Sequence, residues 1–313
     1  MANAKIAVVI PVYNEEENLP ALIKRLLPVM QGFGKPFEII LVDDGSKDNS
    51  LEILKGFTEH PQIKVVELTR NYGQHAAILA GFSVVNADIV ITMDADLQNP
   101  PEEIPKMVKT MEEGNYDVVG SIRKGRKDSL LRILPSKIIN IVARKITGVT
   151  MRDWGCMLRA YRKPVVERMI QCHEHATFIP ALATVFAKRI TEIEVEHEER
   201  FAGTSSYPLT KLINLQFDLV ASFSDFPMKL IMYGGIMMSF LGICFGIFLA
   251  ISRLIYGAQW AAEGIFTLFA VLFVFVGLQF FALGVIGEYI GRIYLEARKR
   301  PEYVIENIHT KSS

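Results

Sequence analysis

The sequence predicts an α/β domain on a Rossmann-like, mostly parallel sheet, followed by amphipathic interfacial helices and two transmembrane helices. Three observations carry this reading. Apolar, β-branched runs alternate with helical patterns through the first hundred residues, as in doubly wound sheets. Acids and amides stand at the ends of several of those runs. Two long uncharged stretches occupy the last third of the chain.

Taken in order, Lys5–Val12 (KIAVVIPV) is a short buried strand closed by Pro11. Asn14 or Asn18 then offers a cap for a helix over Leu19–Gln31, whose Leu19, Leu22, Ile23, Leu26, Leu27 and Met30 recur at helical spacing. Phe37–Asp43 (FEIILVD) is a second strand that runs into Asp44-Gly45-Ser46, and Asp48-Asn49-Ser50 caps a helix to Phe57. Lys64–Leu68 is a third strand and Gly73–Val85 a third helix. Ile89–Gln98 (IVITMDADLQ) reads as an apolar strand that ends abruptly in two carboxylates and an amide. Pro101 with Glu102 and Glu103 opens a helix to Glu113, since proline and acids both suit a first turn. Asp117–Ser121 is a fifth strand. Trp154–Tyr161 and Ile193–His197 read as further strands flanking a helix at Pro164–Gln171.

Charge and cysteine usage narrow the function. Among 313 residues, Lys+Arg and Asp+Glu are both 34, which argues against a nucleic-acid partner. Cys156, Cys172 and Cys244 lie far apart, so neither a disulfide nor a zinc site is expected, and a reducing compartment suits the chain. The N-terminal residues run straight into a strand without a basic-then-apolar leader, and the first part of the chain is expected in the cytoplasm.

The composition changes beyond residue 207. We expect an α/β domain over 1–207, in which 130–147 is a basic amphipathic segment suited to a membrane surface, and an amphipathic interfacial helix over 208–228. The region 229–287 should hold two transmembrane helices, Leu230–Ile251 and Ile265–Gly287, each without a charge. At 1.5 Å per residue the first is about 33 Å long, enough to span a bilayer. Lys211 and Lys229 precede the spans, and Arg292, Arg298, Lys299 and Arg300 follow them, while the loop between holds only Arg253. The positive-inside rule places both termini, including a C-terminal tail over 288–313, in the cytoplasm.

The chemistry centres on Asp94-Ala95-Asp96. No G-x-G-x-x-G or Walker pattern follows the first strand, so a phosphate cradle of glycines is not on offer. Asp-x-Asp at a sheet edge, with Gln98 as a third oxygen, suits a hard divalent cation that would in turn hold a diphosphate. Two acids after a strand also read as an ordinary turn, and companion acids at Glu15 and Asp44 weigh against that. His75 is expected as a helix-start residue, and His173 and His175 as loop residues.

Pro11-Val12-Tyr13-Asn14-Glu15, Val42-Asp43-Asp44-Gly45-Ser46 and Asp94-Ala95-Asp96 together resemble the three signatures of family 2 glycosyltransferases with the GT-A fold. Arg70–His75, Asp96–Pro105, Gly155–Arg162, Gln259–Gly264 and Gly287–Tyr294 further resemble the undecaprenyl-phosphate 4-deoxy-4-formamido-L-arabinose transferases along nearly the whole chain. The resemblance implies that Pro11, Tyr13, Glu15, Asp44, Asp94 and Ala95 bind the nucleotide of a UDP-sugar donor. It implies that Asp96 and Gln98 hold Mg²⁺ or Mn²⁺, that Arg123 and Arg200 meet phosphates, and that Asp153 occupies the position of the base. Members often carry Lys where this chain has Ser206. The acceptor would be undecaprenyl phosphate at the bacterial inner membrane, the product would serve lipid A modification and cationic-peptide resistance, and tetramers occur among relatives. The nearest alternative is a polyprenyl-phosphate glucosyl- or other hexosyltransferase. A processive synthase would need more spans and a Q-x-x-R-W motif, and a scaffold would have no need of the acids.

Overall fold

The five apolar runs read as strands in the first 123 residues all become strands. The computed structural model describes residues 5–124, 151–172, 178–198, 226–256, 265–298 and 300–311. The segment 130–147, residues 208–225 and Arg200 lie outside the described residues. The strands are β1 (Ile6–Val12), β2 (Phe37–Asp43), β3 (Ile63–Leu68), β4 (Ile89–Thr92), β5 (Val118–Arg123), β6 (Arg159–Arg162), β7 (Ile190–Val195) and β8 (Ile305–His309). They form one sheet in the order β7-β5-β6-β4-β1-β2-β3-β8. Only β6 and β8 run against the others, so the sheet is mostly parallel, as expected.

The helices are α1 (Leu19–Gly32), α2 (Ser50–Phe57), α3 (Gln74–Val84), α4 (Ile104–Gly114, entered through a 3₁₀ turn at Pro101–Glu103), α5 (Lys163–Gln171) and α6 (Ile179–Phe186). They cover both faces, and strand alternation sorts the side chains between two apolar layers. Ile6, Val8 and Ile10 of β1 join Leu22 and Leu26 of α1 and Met107 and Met111 of α4. Val9 joins Ile40, Val42 and Val90 with Ile78 and Phe82 of α3 and Met169 of α5. Burial of each such side chain contributes about 1.5–3 kcal/mol. Pro11 is tolerated in β1 because it lies past the last β1–β4 pair, Val9 with Thr92.

Two expectations need correction. Trp154–Leu158 is not strand; only Arg159–Arg162 pairs, because the buried Arg159 guanidinium folds the preceding residues back by bonding the Cys156 carbonyl at 2.9 Å and the Asp153 carbonyl at 2.7 Å. The residues past 287 are not simply a tail. A helix continues to Ala297, and Ile305–His309 returns as β8, antiparallel to β3. Helix α6 was also not anticipated, since its run IPALATVF carries no polar face.

The chain divides into two compact units, residues 1–213 with 300–313, and residues 214–299. The second unit holds α7 (Phe226–Tyr256) and α8 (Ile265–Ala297). Within them Ile231–Tyr256 and Val271–Gly291 are long and apolar enough to cross a bilayer. Their large side chains point outward, with Phe240 66%, Phe273 70% and Phe280 69% exposed, the reverse of a buried helical hairpin in a water-soluble core.

Candidate active site

The acidic edge is built where β4 stops. Thr92 donates its hydroxyl to the Met157 carbonyl at 2.6 Å, and the chain then turns through Asp94–Gln98. Asp96 is 5% exposed and accepts the Gln98 N–H at 3.1 Å, closing an Asx-type turn. Leu97 takes φ +60°, a left-handed conformation uncommon for a branched side chain, of the kind held at functional loops by their surroundings. Asp94 accepts from the Gln74 amide at 2.6 Å, tying the loop to the start of α3. The Ala95 side chain lies in the apolar layer beneath, so only its backbone is available to a ligand.

Beside it, β1 and β2 end together, with the Asp44 N–H bonded to the Val12 carbonyl at 2.8 Å. Tyr13 is 39% exposed and Asn14 adopts φ 55°. Asn14 exchanges bonds with the next loop, its N–H to Ser46 Oγ and its Oδ1 from the Lys47 N–H. Glu15 donates its N–H to Ser50 Oγ at 2.9 Å and accepts from the Asn18 amide. Asp44 is buried and spreads its two oxygens over the Tyr72 and Gly73 N–H groups, at 2.7 and 2.8 Å. Burial pushes the carboxyls of both Asp43 and Asp44 up. Gly45 serves twice: its φ is +66°, and a Cβ there would meet the Arg70 carbonyl carbon at 2.5 Å.

Two residues distant in sequence meet at the end of β5. Arg123 forks onto Asp153, Nε to Oδ2 at 2.7 Å and Nη2 to Oδ1 at 2.9 Å, with side chains 17% and 7% exposed. The Asp153 Oδ1 also accepts the Gly155 N–H at 3.1 Å. Arg159 is fully buried and holds this loop by donating to the Cys156 and Asp153 carbonyls. Arg162 caps the end of α4 by donating to the Met111 and Tyr116 carbonyls. Cys156 links the two loops: its thiol donates to Asn99 Oδ1 at 3.4 Å, and Ser121 Oγ lies 2.8 Å from its sulfur. Burial pushes that thiol up, which keeps it protonated and inert.

A strap from β7 completes the edge. Glu198 donates its N–H to the Gln98 carbonyl at 2.9 Å. Arg25 of α1 forks onto both Glu102 and Glu198, at 2.9–3.1 Å, and its pKa is raised, first by the bond to Glu198. His197, which sequence reading missed, sits within the fields of Arg123, Asp96 and Asp153. Burial, then the charge of Arg123, pushes its imidazole down, so it is neutral at pH 7. No local motif marks it; only the return of the strap to Gln98 does. His75 is the second residue of α3, as expected, and stacks edge-on against Phe178 with centroids 5.3 Å apart.

Among the described residues no three His, Cys, Asp or Glu side chains converge on one point. The side chains that offer oxygen at this edge are Asp94, Asp96 and Gln98, and the His197 Nδ1 is buried without a hydrogen-bond partner among the described residues. Oxygen-rich donors of this kind fit a hard divalent cation whose remaining ligands come from a substrate's phosphates.

The glycosyl transferase family 2 model matches residues 7–171. An undecaprenyl-phosphate 4-deoxy-4-formamido-L-arabinose transferase from Photorhabdus laumondii is 54% identical, covering 97% of this chain and 94% of that protein. One of the same name from Shewanella sediminis is 53% identical, covering 97% and 92%. Among solved structures, glucosyl-3-phosphoglycerate synthase from Mycobacterium tuberculosis shares the fold, with a TM-score of 0.52 at 19% identity over 71% of this chain and 79% of that one. The same enzyme has been crystallised with Mn²⁺, UDP and glucosyl-3-phosphoglycerate, in a structure of TM-score 0.51 at 18% identity over 70% of this chain and 78% of that one. The two aspartates at the edge of a GT-A sheet thus belong to an enzyme: the chain is a member of glycosyl transferase family 2 and, within it, of the family of the undecaprenyl-phosphate 4-deoxy-4-formamido-L-arabinose transferases.

Proposed function

We propose that this glycosyltransferase moves 4-deoxy-4-formamido-L-arabinose from its UDP-sugar to undecaprenyl phosphate, with inversion at the anomeric carbon. The observation that carries the reading is identity of 52–54% over 97% of the chain, through both apolar helices, with proteins of that name. Pro11, Tyr13, Glu15 and Asp44 line the uridine side, the exposed Tyr13 ring and the Asp44-held loop being the parts best placed for it. Asp94 and the Ala95 backbone face the nucleotide. Asp96 and Gln98 hold Mg²⁺ or Mn²⁺, which when bound offsets diphosphate charge and eases departure of UDP. Arg123, with Arg200 outside the described residues, takes phosphate groups, for which a guanidinium fork is suited.

A phosphomonoester has a second pKa of about 6 and is mostly dianionic at neutral pH. Its oxygen attacks the anomeric carbon without losing a proton, and the C–O bond to UDP breaks with its electron pair leaving on the diphosphate. Asp153 therefore orients more than it abstracts: both its oxygens accept from Arg123, and the pair presents the guanidinium to phosphate.

The outward apolar side chains of α7 and α8 support a bilayer environment, and the basic flanks support cytoplasmic termini at a bacterial inner membrane. A homo-oligomer such as a tetramer, and a role in lipid A modification and polymyxin resistance, complete the reading. Purified enzyme in nanodiscs, given undecaprenyl phosphate and a panel of UDP-sugars, should form lipid-linked formamido-arabinose in the presence of Mg²⁺ or Mn²⁺. Preference for UDP-glucose would replace this reading with a hexosyltransferase.

A further inference from the structure

A carboxylate away from the acidic edge is built into the Arg123–Asp153 corner. Glu192 lies on β7 opposite Gly120 of β5. Its Oε2 accepts the Arg152 N–H at 2.8 Å and its Oε1 the Asp153 N–H at 3.3 Å. From the other side, Arg159 donates to the Asp153 carbonyl at 2.7 Å. The Asp153 residue is thus gripped at both its N–H and its C=O by side chains from two strands.

This convergence needs a gap in the sheet surface, and Gly120 leaves one. A Cβ there would lie 2.8 Å from Met151 Cε and 3.3 Å from both Arg159 Nη1 and Glu192 Cγ. Gly155 leaves a second, since its Cβ would come 3.3 Å from Arg123 Nη2. The Gly120 gap admits Met151 beside the Arg159 and Glu192 side chains, and the Gly155 gap admits the Arg123 guanidinium. Both lie where a bulkier residue would displace the guanidinium or the peptide it is paired with.

We propose that Glu192 is a positioning residue for sugar transfer. It fixes the Asp153 peptide, the peptide sets the carboxylate, and the carboxylate aims Arg123 at the substrate phosphate. The inference rests on the reading that the Arg123–Asp153 pair meets that phosphate. Among the described residues the Glu192 carboxylate bonds backbone N–H groups at this corner, so it acts through Asp153 and not on the substrate. Misplacing a binding group by about 1 Å can cost up to a hundredfold in rate.

The test is a cycle in full-length protein in nanodiscs, using Glu192→Ala, Asp153→Asn and the double variant, with UDP affinity measured alongside turnover. We expect Glu192→Ala to lower kcat by roughly ten- to a hundredfold with donor KM little changed. Glu192→Gln, which keeps an acceptor oxygen, should recover most of the loss. In the Asp153→Asn background Glu192→Ala should cost nothing further. An equal loss with and without Asp153 would overturn the inference, as would a lowered melting point with kcat per folded molecule intact. Wild-type turnover in Asp153→Asn would instead remove the Arg123–Asp153 reading, and this inference with it. Should Glu192→Ala not fold, the same cycle runs with Gly120→Ala, whose Cβ would crowd Glu192 Cγ and Arg159 Nη1 at 3.3 Å.

Discussion

Arg123 and Asp153 stand 30 residues apart in sequence and meet in a two-pronged ion pair at 2.7 and 2.9 Å. With side chains only 17% and 7% exposed, the pair is shielded, and removing one partner leaves the other's charge less compensated. Breaking a buried pair by removing one partner costs about 3–5 kcal/mol in other proteins. Asp153→Ala should therefore lower the melting temperature more than the double variant Arg123→Met/Asp153→Ala does. Arg123→Lys keeps the charge but loses the fork, and should lower turnover at least about tenfold. A Lys variant with wild-type UDP release would mean that charge alone suffices.

Asp44 acts on backbone rather than directly on solvent. Its two oxygens hold the Tyr72 and Gly73 N–H groups, which fixes the loop between β3 and α3 beside the expected nucleotide pocket. An asparagine offers one acceptor where the carboxylate offers two. A hydrogen bond to a charged group contributes about 1.5–3 kcal/mol. Asp44→Asn should thus weaken UDP binding by roughly tenfold in calorimetry, and unchanged affinity would show that the loop is held by other means.

What the sequence made legible follows a physical division. Strands β1, β2 and β4 announce themselves because each carries an apolar, β-branched run, and Asp94–Gln98 announces itself because the acids end such a run. Long-range, backbone-directed contacts leave no such mark. Glu192 bonds two N–H groups 39 and 40 residues away, and nothing local distinguishes it from Glu194. Arg159 looks like any surface cation until its three bonding partners fold around it. Strand β8, Ile305–His309, is polar at its centre and 240 or so residues from Glu67, its partner, so no window along the chain could place it.

His75 gives the fold a sensitivity to acid. Burial pushes its imidazole down to about 4 from the ordinary 6.5, so between those values the unfolded chain binds a proton that the folded chain refuses. Stability then rises with pH across that window and is lost as pH falls from 6.5 towards 4. At about 1.36 kcal/mol per unit the loss is on the order of 3 kcal/mol. The melting temperature at pH 5 relative to pH 7 should drop less in His75→Gln than in the wild type. An identical drop in both would assign the acid sensitivity to other groups.

The return of the chain to β3 makes the last residues part of the catalytic unit. Val304 accepts the Thr69 N–H at 3.1 Å, His309 pairs with Glu67 at 2.7 Å, and Ile305 packs on the apolar layer under α3. The pairing ladder covers the edge of β3, which would otherwise present a row of unpaired backbone groups. Thr69 also begins the loop whose Tyr72 and Gly73 are held by Asp44. A chain stopped after Arg300 should melt roughly 5–10 °C lower, aggregate more readily and bind UDP less tightly. His309→Ala removes one partly exposed hydrogen bond to Glu67, worth about 1 kcal/mol, and should leave UDP binding intact. The ordering of the two variants is the decisive measurement. If His309→Ala were as damaging as the truncation, the His309–Glu67 contact and not the strand ladder would be holding the sheet edge.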